Sequence, residues 1–269
     1  METPGASKDI LAFKRPPVIE VALAVQFAPD TLNEFNVLSL RESVKDRFPG
    51  LEKYPPRPPI GEGFVPQQQP QVQFEMIITP PMPLYWFVSQ DSTMLIQVQQ
   101  DRVAFNWRRT APEDEYPLYE TLREEFVPML NAIQELVAAE GRELSCNWCE
   151  VTYINHIQPM PPAHEVSRLL TDYRPPSLPD FEDVNLVTRF RIDDANGEPR
   201  GRMSATLASA TRIEGNEPIW VYTLTTRMLA REGTLEGAIA SLDEAREYAG
   251  KGFEELTTDQ MQALWERVS

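Results

Sequence analysis

The chain has 269 residues, and its 41 aspartates and glutamates outnumber its 25 lysines and arginines to give a formal net charge of −16. This balance argues against nucleic acid as a direct partner, because affinity for a phosphate backbone is built from clustered cations. The 25 prolines are about 9% of the residues, against a usual value of about 5%, and they argue against a helical bundle.

The first half of the chain begins with a predicted strand over Val18–Phe27, where the Pro16–Pro17 pair before it blocks a helix. A helix follows from Leu32 to Phe48. The stretch from Pro49 to Pro83 is so rich in proline that mostly extended loop or edge strand is predicted. The other predicted elements of this half are strands over Val72–Ile78, Leu84–Ser89, Thr93–Gln99 and Arg102–Arg109, and a helix from Leu118 to Val137 that bends at Pro128.

The second half repeats this order of elements. It closes with a short helix, for which Thr257–Gln260 is the predicted capping box. Before it we predict a strand over Cys146–Ile157, a short helix over His164–Thr171, strands over Val184–Ile192, Arg202–Ile213 and Ile219–Met228, and a helix from Leu235 to Leu256.

These two series predict an α+β protein with an internal duplication. Residues 1–143 would form a first β-α-β(4)-α unit and residues 144–269 a second β-α-β(3)-α unit. Helices packed on one face of each sheet would bury their apolar stripes, and sheets joined edge to edge would form one extended antiparallel sheet with a polar opposite face. This arrangement resembles in outline the duplicated fold of the TATA-binding protein, a likeness of topology that implies nothing about DNA binding.

The location of the protein is predicted from segments that the sequence lacks. Residues 1–10 have neither the basic start nor the apolar stretch of a signal peptide, and no apolar run reaches the length of about 18 residues that a membrane span needs. The two cysteines are compatible with a reducing compartment. We therefore expect a cytoplasmic protein with no membrane partner.

The cysteines Cys146 and Cys149 form a C-x-x-C pattern inside a predicted strand. Side chains three apart on a strand point to opposite faces, so these thiols are predicted to be two buried small side chains and not a redox or metal pair. His156 and His164 are the only histidines, which leaves too few ligands for zinc. The glycine-rich phosphate-binding motifs are missing as well, and we expect no metal and no cofactor.

A polar, mildly cationic sheet face is the candidate binding surface. Alternation along Arg102–Arg109 places Asn106 and Arg108 on one face, to which the neighbouring strand can add Gln97 and Gln99. Such a face would suit an anionic ligand or an acidic peptide. The alternative is a solvated face with cross-strand pairs only. The second unit can add Arg189 and Arg191, or Ser204 and Thr206.

Near the end of the strand Cys146–Ile157 lie Asn155 and His156, which we add to the candidate ligand-binding residues. His156 can be a structural histidine or, in an enzyme, a general base. No G-x-S-x-G motif accompanies it, so a nucleophilic triad has no support and no catalytic residue is assigned.

Several segments together resemble a sporadically distributed family of uncharacterised bacterial proteins of about this length. Its motifs match at Pro16–Leu23, at Arg102–Arg108 followed by Tyr116–Tyr119, at Val151–Ile157 and at Phe253–Asp259 with Trp265. The resemblance implies no reaction, and the family's pattern has a histidine near Arg246 that this chain lacks. The positions singled out by the resemblance are Asn106, Trp107, Arg108, Tyr116, Tyr153, Asn155 and His156.

Three functions fit these observations. The first is a non-enzymatic binding protein for a protein partner or a small anionic ligand, acting as an accessory, inhibitor or antitoxin-like component of a bacterial defence or regulatory system. The second is an enzyme acting on an anionic small molecule through Arg108, Asn106 and His156. The third is a nucleic-acid mimic that uses its acidic surface. We favour the first.

Overall fold

The computed structural model describes residues 12–64, 81–158, 169–171, 183–213 and 215–268. Predicted elements over Val72–Ile78 and over most of His164–Thr171 lie outside these residues. Nine strands are described: β1 Val18–Phe27, β2 Gly50–Tyr54, β3 Leu84–Val88, β4 Met94–Gln99, β5 Arg102–Arg108, β6 Cys146–Ile157, β7 Asn185–Asp193, β8 Pro199–Thr211 and β9 Pro218–Leu229. The described helices are α1 Glu34–Val44, α2 Leu118–Ala139, a 3-10 turn Arg231–Gly233, α3 Leu235–Leu256 and α4 Asp259–Leu264.

All nine strands form one antiparallel sheet in the order β2-β3-β4-β5-β1-β6-β9-β8-β7. The protein is therefore α+β, as predicted. The first strands of the two predicted units, β1 and β6, pair at the centre of the sheet. On either side, the last strand of each half pairs with its first strand, and the strands between follow outward in reverse chain order.

The helices cover one side of the sheet, which we call the covered face. On α2 the residues Leu122, Phe126 and Leu130 recur every four positions and are completely buried. Burial of each such side chain contributes about 1.5–3 kcal/mol. The same hydrophobic cluster takes in Leu235 and Leu242 of α3, so one core extends across the predicted boundary at residue 143. A smaller cluster surrounds Phe253, Met261 and Trp265.

Helix ends follow local side-chain chemistry. Asn33 and Asn36 form a reciprocal capping box at the start of α1. The N-cap of α4 is Thr258, whose hydroxyl accepts from the Met261 N–H, and not the predicted Thr257. Thr257 instead donates its hydroxyl proton to the Phe253 carbonyl at the end of α3. None of the helices in the described ranges is long and apolar enough to cross a bilayer.

The two cysteines correct another prediction. A register shift beside Phe27 in the pairing of β1 with β6 puts both Cys146 and Cys149 in the hydrophobic core under the helices, and not on opposite faces. They are 3% and 0% exposed, and both thiols are free. The Cys149 thiol contacts the Ala238 carbonyl of α3 at 3.2 Å. They are buried as predicted, but on the same side of the sheet.

Candidate functional site

The side of the sheet opposite the helices, which we call the open face, carries most of the predicted binding residues. Asn155 is the exception, because it lies on the covered face, 2% exposed, with its Nδ2 donating to the Tyr222 carbonyl at 3.0 Å. The next residue, His156, points to the open face, because successive side chains of a strand alternate between the two faces. The register places the following on the open face: Gln97, Gln99, Asn106, Arg108 and His156.

One row of open-face side chains runs straight across four neighbouring strands. Gln99 of β4 is opposite Arg102 of β5, which is opposite Gln26 of β1, which is opposite Trp148 of β6. At the outer end of this part of the sheet, β2 stops at Tyr54. The chain then passes back over the open face as residues 55–64, Pro-Pro-Arg-Pro-Pro-Ile-Gly-Glu-Gly-Phe, which we call the strap.

Two glutamines hold the backbone of the strap. The Gln99 side chain accepts from the Arg57 N–H at 3.1 Å and donates to the Arg57 carbonyl at 3.0 Å. The Gln26 side chain donates to the Ile60 carbonyl at 2.9 Å and accepts from the Ile60 N–H. Each amide therefore satisfies both backbone groups of one strap residue, as a neighbouring strand would.

The spacing of these contacts matches an extended proline-rich chain. Arg57 and Ile60 are three residues apart, which is one turn of polyproline II and about 9.3 Å. Gln99 and Gln26 lie on β4 and β1 with β5 between them, and two strand spacings are about 9.6 Å. Prolines fix φ and restrict the residues before them, so this segment is preorganised for such a conformation.

The far end of the strap is held by charge. Glu62, whose side chain is 9% exposed, accepts from Arg202 and, at 2.9 Å, from the Nη1 of Arg227. Arg227 also donates from Nε to Glu150 at 2.5 Å. Burial by itself lowers the pKa of Arg227, but the Glu150 and Glu62 carboxylates more than offset this effect. The net pKa is raised, so Arg227 stays charged. Arg202 donates once more, to the Gly63 carbonyl at 3.0 Å.

An arginine beneath the strap is incompletely paired. The Nη2 of Arg102 is buried and has no hydrogen-bond partner. Burial lowers the pKa of Arg102, and the nearby Glu150 and Asp101 carboxylates partly oppose that change. In the row across the sheet, Arg102 lies between the two glutamines that hold the strap. Its Nη2 is therefore a charged donor without an acceptor, at the sheet position between these two glutamines.

The last strap residue, Phe64, makes apolar contacts at the open face. Its ring lies 6.3 Å from that of Trp148 on β6, measured between centroids, and the Arg202 guanidinium lies over it at 5.3 Å. Such a cation–π contact contributes about 0.5–1 kcal/mol at an exposed site. Tyr54, just before the strap, packs against Trp86 at 4.3 Å. Aromatic contacts thus flank the strap at both ends.

The residues that would serve an enzyme are engaged in separate contacts. Asn106 accepts from Gln97 at 3.1 Å and donates to Glu20 at 2.8 Å. Arg108 donates from Nε to the Ser92 carbonyl at 2.8 Å, on the side of β5 away from β6. His156 lies two strands from Arg108 and two residues further along, a Cα separation of about 12 Å from strand geometry.

The chemistry of His156 is set by its surroundings. Burial lowers the pKa of its imidazole, and the Arg212 guanidinium lowers it further. The neutral ring is thus favoured. Its backbone N–H donates to the Pro17 carbonyl at 3.1 Å, which fixes the strand end on which it lies.

The tryptophan and the two tyrosines singled out in the sequence by resemblance meet on the covered face instead. The rings of Trp107 and Tyr116 are 5.5 Å apart, and those of Tyr116 and Tyr153 are 6.4 Å apart. Burial raises the pKa of both tyrosines, so both hydroxyls stay protonated. Arg246 of α3 contacts Tyr119 and Glu120 beside this cluster. The motif positions therefore divide between the two faces of the sheet.

A cleft of about 270 Å³ lies between α1 and α2. Its walls include Leu40, Phe105 and Met129, together with Arg47 and Glu125, which form an ion pair of 2.7 Å. This volume is slightly below the usual range of ligand pockets, about 300–1,000 Å³. In the described part of the chain no cluster of histidine, cysteine, aspartate and glutamate is placed to hold a metal ion.

Gln26, Glu62 and the strap were not predicted from the sequence as parts of a site. The signal was present in Pro-Pro-Arg-Pro-Pro-Ile, whose non-proline residues alone carry backbone donors and are spaced by one polyproline turn. No pattern in β1 distinguished Gln26 from any other polar strand residue. Comparison of the chain with protein-family models, curated proteins and solved structures found no match.

Proposed function

We propose that this chain is a binding protein, not an enzyme, and that it holds an extended segment of a partner protein on the open face of its sheet. One observation carries the proposal. The open face already binds an extended segment, the strap, through backbone contacts from Gln26 and Gln99 and a carboxylate contact from Arg202 and Arg227.

The contacts are of a kind that suits binding. Paired bonds to backbone N–H and C=O give affinity with little dependence on side-chain identity, as in recognition by an exposed strand. Arginine pairs add orientation, because a guanidinium fits a carboxylate with defined geometry. Because the chain has a net charge of −16, an anionic group would be attracted to the Arg202–Arg227 pair more than to the rest of the surface.

The proposal includes three further statements. The units 1–143 and 144–269 are structural repeats, which the mirrored strand order of the two halves supports. The protein works in the cytoplasm, as its free, buried thiols would allow. It acts as an accessory or inhibitor of a protein partner and does not bind nucleic acid directly, which its net charge supports.

Neither alternative function gains support from a particular contact. An enzyme using Arg108, Asn106 and His156 needs these groups around one substrate, whereas each is engaged at a different place. A nucleic-acid mimic needs free carboxylates along one face. On the open face Glu62 and Glu150 are paired with arginines.

The test is a comparison of tagged full-length proteins incubated with native lysate, with bound proteins and small molecules measured by mass spectrometry. Arg202→Met removes a guanidinium that binds the carboxylate on the open face. Arg212→Met, the control, makes the same change at a more exposed arginine. Both substitutions are made in a protein whose residues 55–64 are replaced by a Gly-Ser segment, because Arg202→Met would otherwise weaken the hold on the strap and on a partner segment alike. We expect one or more proteins bound to this parent protein, less with Arg202→Met and the same with Arg212→Met. An absence of bound protein, or binding unaffected by Arg202→Met, would contradict the proposal.

A further inference from the structure

The strap shows which chain chemistry the open face accepts. Within residues 55–60 the only backbone N–H groups belong to Arg57 and Ile60, because the other four residues are prolines. Both N–H groups and both matching carbonyls are bound, by Gln99 and Gln26. The two glutamines are therefore matched to backbone N–H groups that are three residues apart. A proline-rich chain whose non-proline residues had a different spacing could not place an N–H group opposite each glutamine.

The acidic end of the strap adds a second requirement. Glu62 follows Ile60 by two residues and reaches Arg202 and Arg227, which lie beyond β6 on β8 and β9. Ile60 itself is 7% exposed and is the apolar anchor between the two polar ends. The accepted pattern is therefore Pro-Pro-x-Pro-Pro, then an apolar residue, then a glutamate two positions later.

The strap is held in a way that allows exchange. Residues 55–59 are exposed, and the contacts at Arg57 and Glu62 are polar. Residues 55–64 belong to none of the described strands, so loss of these contacts would break no strand within that segment. The strap also leaves the buried Nη2 of Arg102 unpaired, so a ligand with an acceptor at that position gains a bond that the strap does not make.

We propose that the open face is a groove for proline-rich segments carrying a glutamate, and that the strap is its intramolecular occupant, which an external segment of the same chemistry displaces. The inference rests on the proposed binding function and specifies its ligand class. A segment tethered nearby competes at an effective concentration of about millimolar, so the strap would suppress weak ligands and admit only well-matched ones.

The experiment uses a fluorescent peptide with the sequence of residues 54–64, Tyr-Pro-Pro-Arg-Pro-Pro-Ile-Gly-Glu-Gly-Phe, and fluorescence anisotropy. It compares the wild type with a full-length variant whose residues 55–64 are replaced by a Gly-Ser segment of equal length. We expect the variant to bind the peptide at least about tenfold more tightly than the wild type, because the competitor is gone. Glu62→Gln, which keeps the rest of the strap, should give an intermediate affinity and serves if the replacement does not fold.

The controls separate the groove from a simple anion site. In the strap-replaced protein, where no competitor remains, addition of Gln26→Leu or Gln99→Leu should weaken peptide binding at least about tenfold, while Gln90→Leu at an exposed turn should not. A peptide with its four prolines changed to alanine should bind more weakly, and acetate should not compete at equal concentration.

Several results would overturn the inference. The first is that a variant shown to be folded by circular dichroism does not bind the peptide at millimolar concentration. The second is that binding survives the loss of both Gln26 and Gln99. The third is that the alanine peptide binds as tightly as the proline-containing peptide. If the peptide fails while lysate capture still depends on Arg202, the ligand class is wrong and the proposed binding function stands. If both fail, the proposed function is wrong as well.

Discussion

Gln26 and Ile60, 34 positions apart, pair through both backbone groups of Ile60: the glutamine amide donates to the carbonyl at 2.9 Å and accepts from the N–H. Gln26 is 3% exposed and Ile60 is 7% exposed, so neither group can turn to bulk water. This contact fixes the middle of the strap to β1, the central strand beside β6.

Loss of this pairing should destabilise the protein. Gln26→Leu leaves a buried N–H and carbonyl without partners, which costs about 1–3 kcal/mol for each unsatisfied group. We expect the free energy of unfolding in urea to fall by about 1–3 kcal/mol, because partial movement of the strap into water limits the loss. Gln90→Leu, at an exposed position, should change it by less than about 0.5 kcal/mol. Equal effects of the two substitutions would contradict the pairing of Gln26 with the Ile60 backbone.

The Glu62–Arg202 ion pair should be worth more than an exposed one. Its side chains are 9% and 19% exposed, whereas those of Lys251 and Glu255 are 67% and 64% exposed. A double-mutant cycle with Glu62→Gln and Arg202→Met should give a coupling energy of about 1–2 kcal/mol. The matched cycle with Lys251→Met and Glu255→Gln should give below about 0.5 kcal/mol. A smaller coupling at Glu62 than at the control pair would show that the strap is not held by charge.

The lowered pKa of Glu140 leads us to expect a loss of stability in acid. Hydrogen bonds from Arg142, Asn36 and Asn33 lower the pKa of its carboxyl from 4.5 to about 2. A lowered folded-state pKa means that the stabilisation is complete above about pH 4.5 and is lost as the pH falls towards 2. Glu140→Gln should therefore lower the Tm at pH 7, and the difference from the wild type should shrink across that interval.

Thermal unfolding followed by circular dichroism at a series of pH values measures this difference. Glu143→Gln, at an exposed neighbouring position, is the matched control. A Tm difference for Glu140→Gln that grows on acidification would have the wrong sign.

The two thiols should be unreactive in the folded protein. Burial raises the pKa of Cys146 to about 12 and raises that of Cys149 as well, and the thiolate is the reactive form. At pH 8 a thiol reagent such as dithionitrobenzoate should label neither cysteine until guanidinium unfolds the chain. Both should then react. Rapid labelling of either thiol in the native protein would contradict the packing of β6 under α3.

Much of the fold could be predicted because most strands carry a local signal. The bounds of β1 and β6 agree with the prediction to the residue, and the Pro16–Pro17 pair delimits the start of β1. The placement of Cys146 could not be predicted, because the register shift that reorients it depends on how β1 pairs with β6. The short edge strand β2, Gly50–Tyr54, was anticipated only as loop or edge within a proline-rich stretch.

The candidate site was only partly predictable. Alternation was enough to place Gln97, Gln99 and Asn106 on one face. The role of Gln99 was not visible, because its partner Arg57 lies 42 positions away and approaches by a path that no strand pattern encodes. Likewise, nothing local to Glu62 indicates that it is matched with arginines 140 and 165 positions further along.

Docking of the strap on the open face is measured by amide hydrogen exchange at Arg57 and Ile60, because these residues carry the only backbone N–H groups among residues 55–60. We expect both amides to be protected from exchange in the wild type, Gln99→Leu to expose the Arg57 amide and Gln26→Leu to expose the Ile60 amide. Exchange of both amides at unfolded-chain rates in the wild-type protein would show that the strap is not docked on the open face, and the proposed binding surface would then be wrong.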